Sequence, residues 1–321
     1  IEDGDFAMIM GYPGRTQRFQ TAAQLQQMVD NHEISIAART VRQNVMWEAR
    51  MADPVVNLQY ANKYASSSNA WKKWIGMRES FANLNIIERE QQKESEFMNW
   101  VNARKKRQAE YGSAISDIAD AVAASAAAED AYTLLVETIY NIEAVRFVPV
   151  FDRAYDAALS EGIDSTAALT EAAKAVEELY KDYNEELDRN EASALFAHYL
   201  DKVTNEDCIA LPSDFPMSSI DDLVSYLFDN TKLNSSEKIH SLTSFTEFVN
   251  DPATQVYNAI VTAVNNFYPA MTEQAGKLAE ASRVYTKGML EWKAGEPSYP
   301  DANSTMRLTY GTVKSYSHKD G

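Results

Sequence analysis

The sequence predicts a mainly α fold, an irregular multi-helix bundle with short β-strands at its two chain ends, and three observations lead there. Apolar residues recur at spacings of three and four through most of the chain. Helix-start signals, such as Thr21 with Gln24 and the pair Asp251-Pro252, stand immediately before those stretches. Strand-like runs occur only near residues 6–10 and 306–310.

In chain order, the apolar run at residues 6–10 closes on Gly11-Tyr12-Pro13-Gly14, a strand entering a tight turn. Thr21 and Gln24 form a capping box ahead of Leu25, Met28 and Val29, and Ile34, Ala37, Ala38, Val41 and Val45 continue at helical spacing. Asp53-Pro54 marks a break or restart, after which a helix carries Tyr60, Tyr64, Trp71 and Trp74. Residues 86–110 are expected as one half-exposed helix with Phe97, Trp100 and Val101 inward, ended by Gly112-Ser113. The Ala-rich stretch 119–131 reads as a buried helix, because small side chains permit close helix approach. Residues 165–187 place Leu169, Ala173, Val176, Leu179 and Tyr180 on one face, and residues 191–203 are helical too. The segment 207–217, with Pro212 and Pro216, is irregular and a candidate joint between subdomains. Asp251-Pro252 opens the longest periodic stretch, which runs past a kink expected at Pro269 to about Trp292. No fixed-period repeat emerges, so a solenoid is disfavoured.

With 321 residues, 45% of them hydrophobic, and only 11 Gly and 9 Pro, the chain can bury a large core in one large or two ordinary domains. Its 30 Lys+Arg against 47 Asp+Glu give a net charge of −17, which opposes nucleic acid and anionic lipid, and neither is expected as a partner. No apolar run approaches the roughly 20 residues of a membrane span, and Ile1 opens the chain without a basic-then-apolar leader. Cys208 is the single cysteine and is read as a small hydrophobe. The basic run Arg104-Lys105-Lys106-Arg107 points around a helix and is read as solvated.

The search for chemistry is largely negative. His32-Glu33 begins a zinc-peptidase pattern, but position 36 is Ile, and the four histidines are far apart, so no metal site is expected. There is no Gly-x-Ser-x-Gly or Gly-Ser-Gly turn to hold a serine nucleophile beside an oxyanion hole. Gly11-Tyr12-Pro13-Gly14-Arg15 lacks the ending of a phosphate loop, and Glu177/Glu178 and Glu185/Glu186 diverge by about 100° on a helix. No catalytic residue and no cofactor site are therefore assigned. The informative stretch is Tyr64-Ala65-Ser66-Ser67-Ser68-Asn69-Ala70-Trp71-Lys72-Lys73-Trp74-Ile75-Gly76. Three serines and an asparagine inside a helix compete with its backbone hydrogen bonds, a cost that either close packing or a ligand offsets.

Three segments resemble the dipeptidyl-peptidase 7 and 11 family of serine peptidases: Gly11-Tyr12-Pro13-Gly14-Arg15-Thr16 with Arg18-Phe19, the stretch from Tyr64 to Gly76, and Tyr299-Pro300-Asp301-Ala302-Asn303-Ser304-Thr305-Met306-Arg307-Leu308-Thr309-Tyr310-Gly311. Phe228-Asp229-Asn230 and Ser236-Glu237-Lys238 are similar as well. The resemblance implies a chymotrypsin-like double β-barrel, outside this chain, that bears the catalytic triad. Residues 1–20 and 297–321 would be stubs of that barrel, and residues 21–296 an inserted helical cap over its cleft. It implies that Asn69 binds the α-ammonium of a peptide with a free N-terminus, with Tyr64, Trp71 and Trp74 as pocket support. It also implies a periplasmic or cell-surface location and is compatible with a homodimer of the parent enzyme. By itself the segment is expected to be inactive. The competing readings are a non-catalytic exported helical protein binding peptide or glycan through Tyr64, Trp71 and Trp74, and a purely structural scaffold.

Overall fold

The computed structural model describes residues 1–315 of the chain. Among these, the elements run in the order β1 (Phe6–Gly11), α1 (Ala22–Ala52), α2 (Pro54–Asn83), α3 (Ile86–Asn102), α4 (Lys105–Tyr111), α5 (Ala114–Glu137), α6 (Glu143–Ser160), α7 (Ser165–Val176), α8 (Glu185–Lys202), α9 (Ile220–Asn230), α10 (Ser236–Ile239), α11 (Phe245–Val249), α12 (Pro252–Trp292) and β2 (Arg307–Thr312). The fold is mainly α, as expected. Its two strands pair antiparallel, with Met8 opposite Tyr310 and Met10 opposite Leu308, so the two chain ends meet in one ribbon.

Local chemistry sets the long helices. Thr21 and Gln24 cap α1 reciprocally: Gln24 N–H donates to the Thr21 hydroxyl, and the Gln24 side-chain carbonyl accepts from Thr21 N–H at 3.0 Å. Asp53 ends α1 in an extended conformation and starts α2 by accepting from Val55 N–H at 2.7 Å, while Pro54 fills a position where no donor is needed. The result is a long α1–α2 hairpin. Asp251 does the same for α12 and also accepts from the Thr231 hydroxyl and Lys232 N–H, tying the helix start to the end of α9. Pro269 lies inside the 41-residue α12, which does not end there.

Two cores are strung along α5 and α12. The larger gathers Leu135, Val145, Phe151, Leu195, Phe196, Leu227, Phe228, Phe248 and Val256 from α5, α6, α8, α9, α11 and α12. The smaller packs Phe97, Val101, Tyr111, Ile118, Tyr285 and Met289 where the second half of α12 meets α3, α4 and the start of α5. A small cluster of Met46, Val56, Tyr60 and Leu187 fastens the α1–α2 hairpin to α8.

Three expectations need correction. Residues 165–187 are not one helix: α7 stops at Val176, Glu177–Asp182 tighten into a 3-10 helix, and Asn184 caps the new helix α8 by accepting from Leu187 N–H at 2.9 Å. Residues 86–110 are not one helix: Arg104 adopts an extended conformation between α3 and α4, so the basic run is split, and Arg107 turns back over the Trp100 ring with its guanidinium 3.8 Å from the centroid. The segment 207–217 does not join separately cored parts, because Ile209 and Phe215 are buried in the larger core; prolines made it irregular, and its apolar side chains kept it inside. Cys208 is half-buried against the same core, where burial raises its thiol pKa and keeps it protonated and inert.

Candidate functional site

Asn69 is the sixteenth residue of α2, about 22 Å from either end at 1.5 Å per residue. At 100° per residue, Asn62, Ser66, Asn69, Lys73 and Met77 fall within an arc of about 80°, whereas Tyr60, Tyr64, Ser67, Ser68, Trp71 and Trp74 point the opposite way. That second face is packed. The Ser68 hydroxyl donates to the side-chain carbonyl of buried Gln43 at 2.7 Å, and Trp71 Nε1 donates to Thr40 Oγ1 at 2.9 Å. Trp74 stacks on His32 at 5.5 Å and has the Arg39 guanidinium over its ring at 4.5 Å. Tyr64 lies against Trp47 and under Arg50.

Ser67 and Ser68 therefore serve contact with α1, Ser66 stays on the open face, and the aromatic rings brace α2 from behind. The structure does not bring Tyr64, Trp71 and Trp74 onto the face of Asn69. Asn69 itself is exposed and makes no side-chain hydrogen bond among the described residues. Its amide is left free to accept and donate.

Two hollows of about 500 Å³ open on the Asn69 side of α2, one toward each end of the helix. The first is lined by Asn62 and Ser66 with Arg39, Arg146, Phe147 and Leu179. The second is lined by Lys73, Met77 and Phe81 with Arg15, Leu25 and Met28. A third hollow, between α1, α5 and α8, contains Ile34, Leu134 and His198 and is remote in sequence from this face. Among the described residues no cluster of His, Cys, Asp and Glu is placed to hold a metal ion, and no helix is long and apolar enough to cross a membrane.

Sequence reasoning missed the buried charge network that anchors α2. Lys63, two turns before Asn69, donates to Glu143 at 2.5 Å and to the carbonyl of Asp182. Arg42 from α1 reaches Glu191 at 2.9 Å and Asn141 at 3.0 Å, and Arg39 forks onto Glu137 at 2.7 and 2.9 Å while donating to the Ser67 carbonyl. Asp188 is fully buried and accepts from Glu143 N–H at 2.7 Å, Ala144 N–H at 2.9 Å and the Tyr183 hydroxyl at 3.2 Å.

Burial, with the charge of Glu143 adding to it, pushes the Asp188 carboxyl up to about 8. Burial likewise raises Glu191 to about 7, although Arg42 pulls it down. Tyr60, whose hydroxyl receives Asn184 N–H at 3.1 Å, is held far above its ordinary range by burial and the neighbouring carboxylates. The one available signal was spacing: Leu187, Asp188, Glu191 and Leu195 share a helical face, so two of the acids in an acidic stretch had to point inward with the leucines.

Against known proteins, the family described as Peptidase S46 matches over residues 1–321. The chain belongs to peptidase family S46. Among S46 relatives, dipeptidyl-peptidase 7 of Phocaeicola vulgatus is 32% identical over 341 residues, covering 100% of this chain and 46% of its own length. The Asp/Glu-specific dipeptidyl-peptidase of Porphyromonas gingivalis is 29% identical over 335 residues, with the same coverage of 100% and 46%. The crystal structure of Porphyromonas endodontalis DPP11 in complex with the dipeptide Arg-Glu superposes with a TM-score of 0.82 at 27% identity, covering 100% of this chain and 47% of that one. This S46 chain thus spans about half the length of the curated relatives it matches.

Proposed function

We propose that this chain is the helical cap of a dipeptidyl-peptidase and that it holds the leading end of the substrate while the cutting machinery lies in the other half of the parent protein. In this reading residues 21–296 form the cap, and the flanking segments 1–20 and 297–321 belong to a chymotrypsin-like barrel supplying serine, histidine and aspartate. The last six of those residues, 316–321, lie outside the described part of the chain. The segment alone is inactive, and the parent enzyme works in the periplasm or at the cell surface, either alone or as a homodimer.

The observation that carries this reading is the position of Asn69. It is an exposed amide without a partner among the described residues, at the middle of a braced helix, between two hollows. A peptide α-ammonium needs an acceptor, and an amide carbonyl provides one without a second charge to desolvate; a hydrogen bond to a charged group is typically worth about 1.5–3 kcal/mol. The family of the chain and the dipeptidyl-peptidase names of its relatives fit the same assignment. The binding-protein alternative is weakened because Tyr64, Trp71 and Trp74 already serve packing.

The test is Asn69→Ala in the full-length protein. Relative to wild type, kcat/KM for free-amine dipeptidyl reporters should fall about tenfold to a hundredfold, with a smaller effect on N-acetylated reporters and little change in Tm. Equal kinetics for the two proteins would remove Asn69 from the site.

A further inference from the structure

The hollow beside Lys73 is lined by two cations and no acid, whereas the hollow at the other end of α2 sets Glu143 among its cations. In a chain of net charge −17, two exposed cations, Arg15 and Lys73, line one cavity of about 500 Å³, and neither makes an ion pair among the described residues. They approach it from separate parts of the fold. Arg15 comes from the turn after β1, and Lys73 from the open face of α2. The rest of the lining mixes apolar side chains, Leu25 and Met28 from α1 and Met77 and Phe81 from α2, with the uncharged polar Thr16, Gln17 and Gln20, and holds no acid. Asn69, Lys73 and Met77 are four residues apart, so on α2 they form a stripe in which Lys73 lies about 6 Å beyond Asn69.

A ligand fitting this hollow has a short apolar stem and an anionic end, which describes an acidic side chain. We propose that the Arg15–Lys73 hollow is a subsite for an acidic side chain on the first residue of the peptide, a proposal that rests on the reading of Asn69 as the ammonium-binding residue. The spacing selects the first residue. Extended peptide advances about 3.3–3.6 Å per residue, so a site about 6 Å from the ammonium is in reach of the side chain next to it. The second residue must enter the machinery that cuts after it. Two cations facing one carboxylate, in a cleft that the other half of the parent protein covers, act at low effective dielectric and discriminate between first residues.

The experiment uses the full-length protein and three dipeptidyl reporters that share a second residue and begin with Glu, Leu or Lys. For Lys73→Glu and, separately, Arg15→Glu, the ratio of kcat/KM for the Glu-first to the Leu-first reporter should drop at least about tenfold, and the Lys-first reporter should gain relative to Leu-first. Lys73→Met, which keeps an apolar stem, should lower the Glu-to-Leu ratio without the Lys-first gain, and Tm reports whether each variant is folded. An unaltered ratio, or a parallel fall on all three reporters as expected if these cations only pair with carboxylates of the other half, overturns the subsite and leaves the Asn69 reading standing. No turnover of any free-amine reporter by the wild-type protein overturns both.

Discussion

Asp188 of α8 caps the N-terminus of α6 through the fully buried contact with Glu143, whose backbone N–H it accepts at 2.7 Å while also accepting that of Ala144. A helix start carries unsatisfied donors and a partial positive charge, so a carboxylate there is well placed. Yet the Glu143 side chain and Glu191 stand nearby, and burial with these like charges raises Asp188 to about 8 and Glu191 to about 7.

This arrangement sets a pH dependence of stability. Both acids bind protons more readily in the folded chain than at their ordinary values of 3.8 and 4.5, so folding is penalised where they must ionise. Stability should therefore rise as pH is lowered from about 9 to about 6.5. Arg42 on α1, Lys63 and Tyr60 on α2, Glu143 on α6 and Tyr183 before α8 face the cluster, and burial and the neighbouring carboxylates hold Tyr60 and Tyr183 well above that interval. Below about 6.5 the gain is opposed by His32 and His198, whose lowered values, caused first by burial, disfavour their charged forms in the fold. Urea unfolding at pH 9 and pH 6.5 measures the slope, which should be shallower in Asp188→Asn. That variant also loses one backbone acceptor and should be less stable by about 1–3 kcal/mol at pH 6.5. A slope of opposite sign would refute the assignment.

Lys63 couples this cluster to the helix that presents Asn69. Its side chain is 26% exposed and that of Glu143 only 7%, so removing the ammonium strands the carboxylate more than it strands water-facing charge. Lys63→Met should destabilise by about 2–3 kcal/mol, toward the low end for a buried pair because of the lysine's partial exposure. Adding Glu143→Gln should recover much of the loss. Chemical denaturation of the two single variants and the double variant gives the coupling, and strictly additive losses would mean the contact is energetically silent.

The smaller core yields a steric prediction. A Cβ built on Gly288 would lie 2.7 Å from Phe97 Cζ and 3.2 Å from Tyr111 Cδ1, and both rings are fully buried. Phe97 cannot simply step aside, because Tyr285 meets it edge-on at 5.4 Å and Trp292 at 5.9 Å. Gly288→Ala should cost about 1–3 kcal/mol despite alanine's better helix propensity. Gly76, inside α2 with nothing within 4 Å, is the contrasting control: Gly76→Ala should stabilise by about 0.5–1 kcal/mol. Calorimetric Tm values shifted in the same direction by both substitutions would contradict this packing.

Much of this fold was legible because its signals are local. Thr21 with Gln24, Asp53-Pro54 and Asp251-Pro252 each fix a helix boundary through contacts within a few residues, and all three appear where spacing put them. Long-range terms were not legible. Nothing near Asp188 in sequence reveals that its partners are the backbone of α6, and nothing near Trp71 reveals that Thr40 takes its N–H. The irregular segment 207–217 misled for the same reason: prolines break a helix locally, while burial of Phe215 is decided by the whole core. At the candidate site, resemblance singled out Asn69 and its aromatic neighbours together, and only the helix phase separates the free amide from the braced rings.

The ribbon joining the chain ends bears on the proposed boundary between cap and barrel. In β1 and β2, Phe6, Ile9, Met10, Leu308 and Tyr310 are all exposed, Ile9 and Tyr310 to 71% and 72%, so both faces of the ribbon show apolar side chains to solvent. A lone two-stranded ribbon is marginal in water, whereas strands of a larger barrel would bury those same side chains and pair their outer edges. Connections between residues 13–16 and 301–304, through Pro13 accepting from Ser304 N–H and Thr16 bonding Asp301 and Ala302, continue the pairing of the two flanking segments beyond the ribbon without covering it. If residues 1–20 and 297–321 belong to a barrel in the other half, amides of β1 and β2 should exchange hydrogen within seconds to minutes in the isolated chain and at least a hundredfold more slowly in the full-length protein, with α12 protected in both. Equal, fast exchange in the full-length protein would leave the ribbon exposed there too and would place the cap boundary elsewhere.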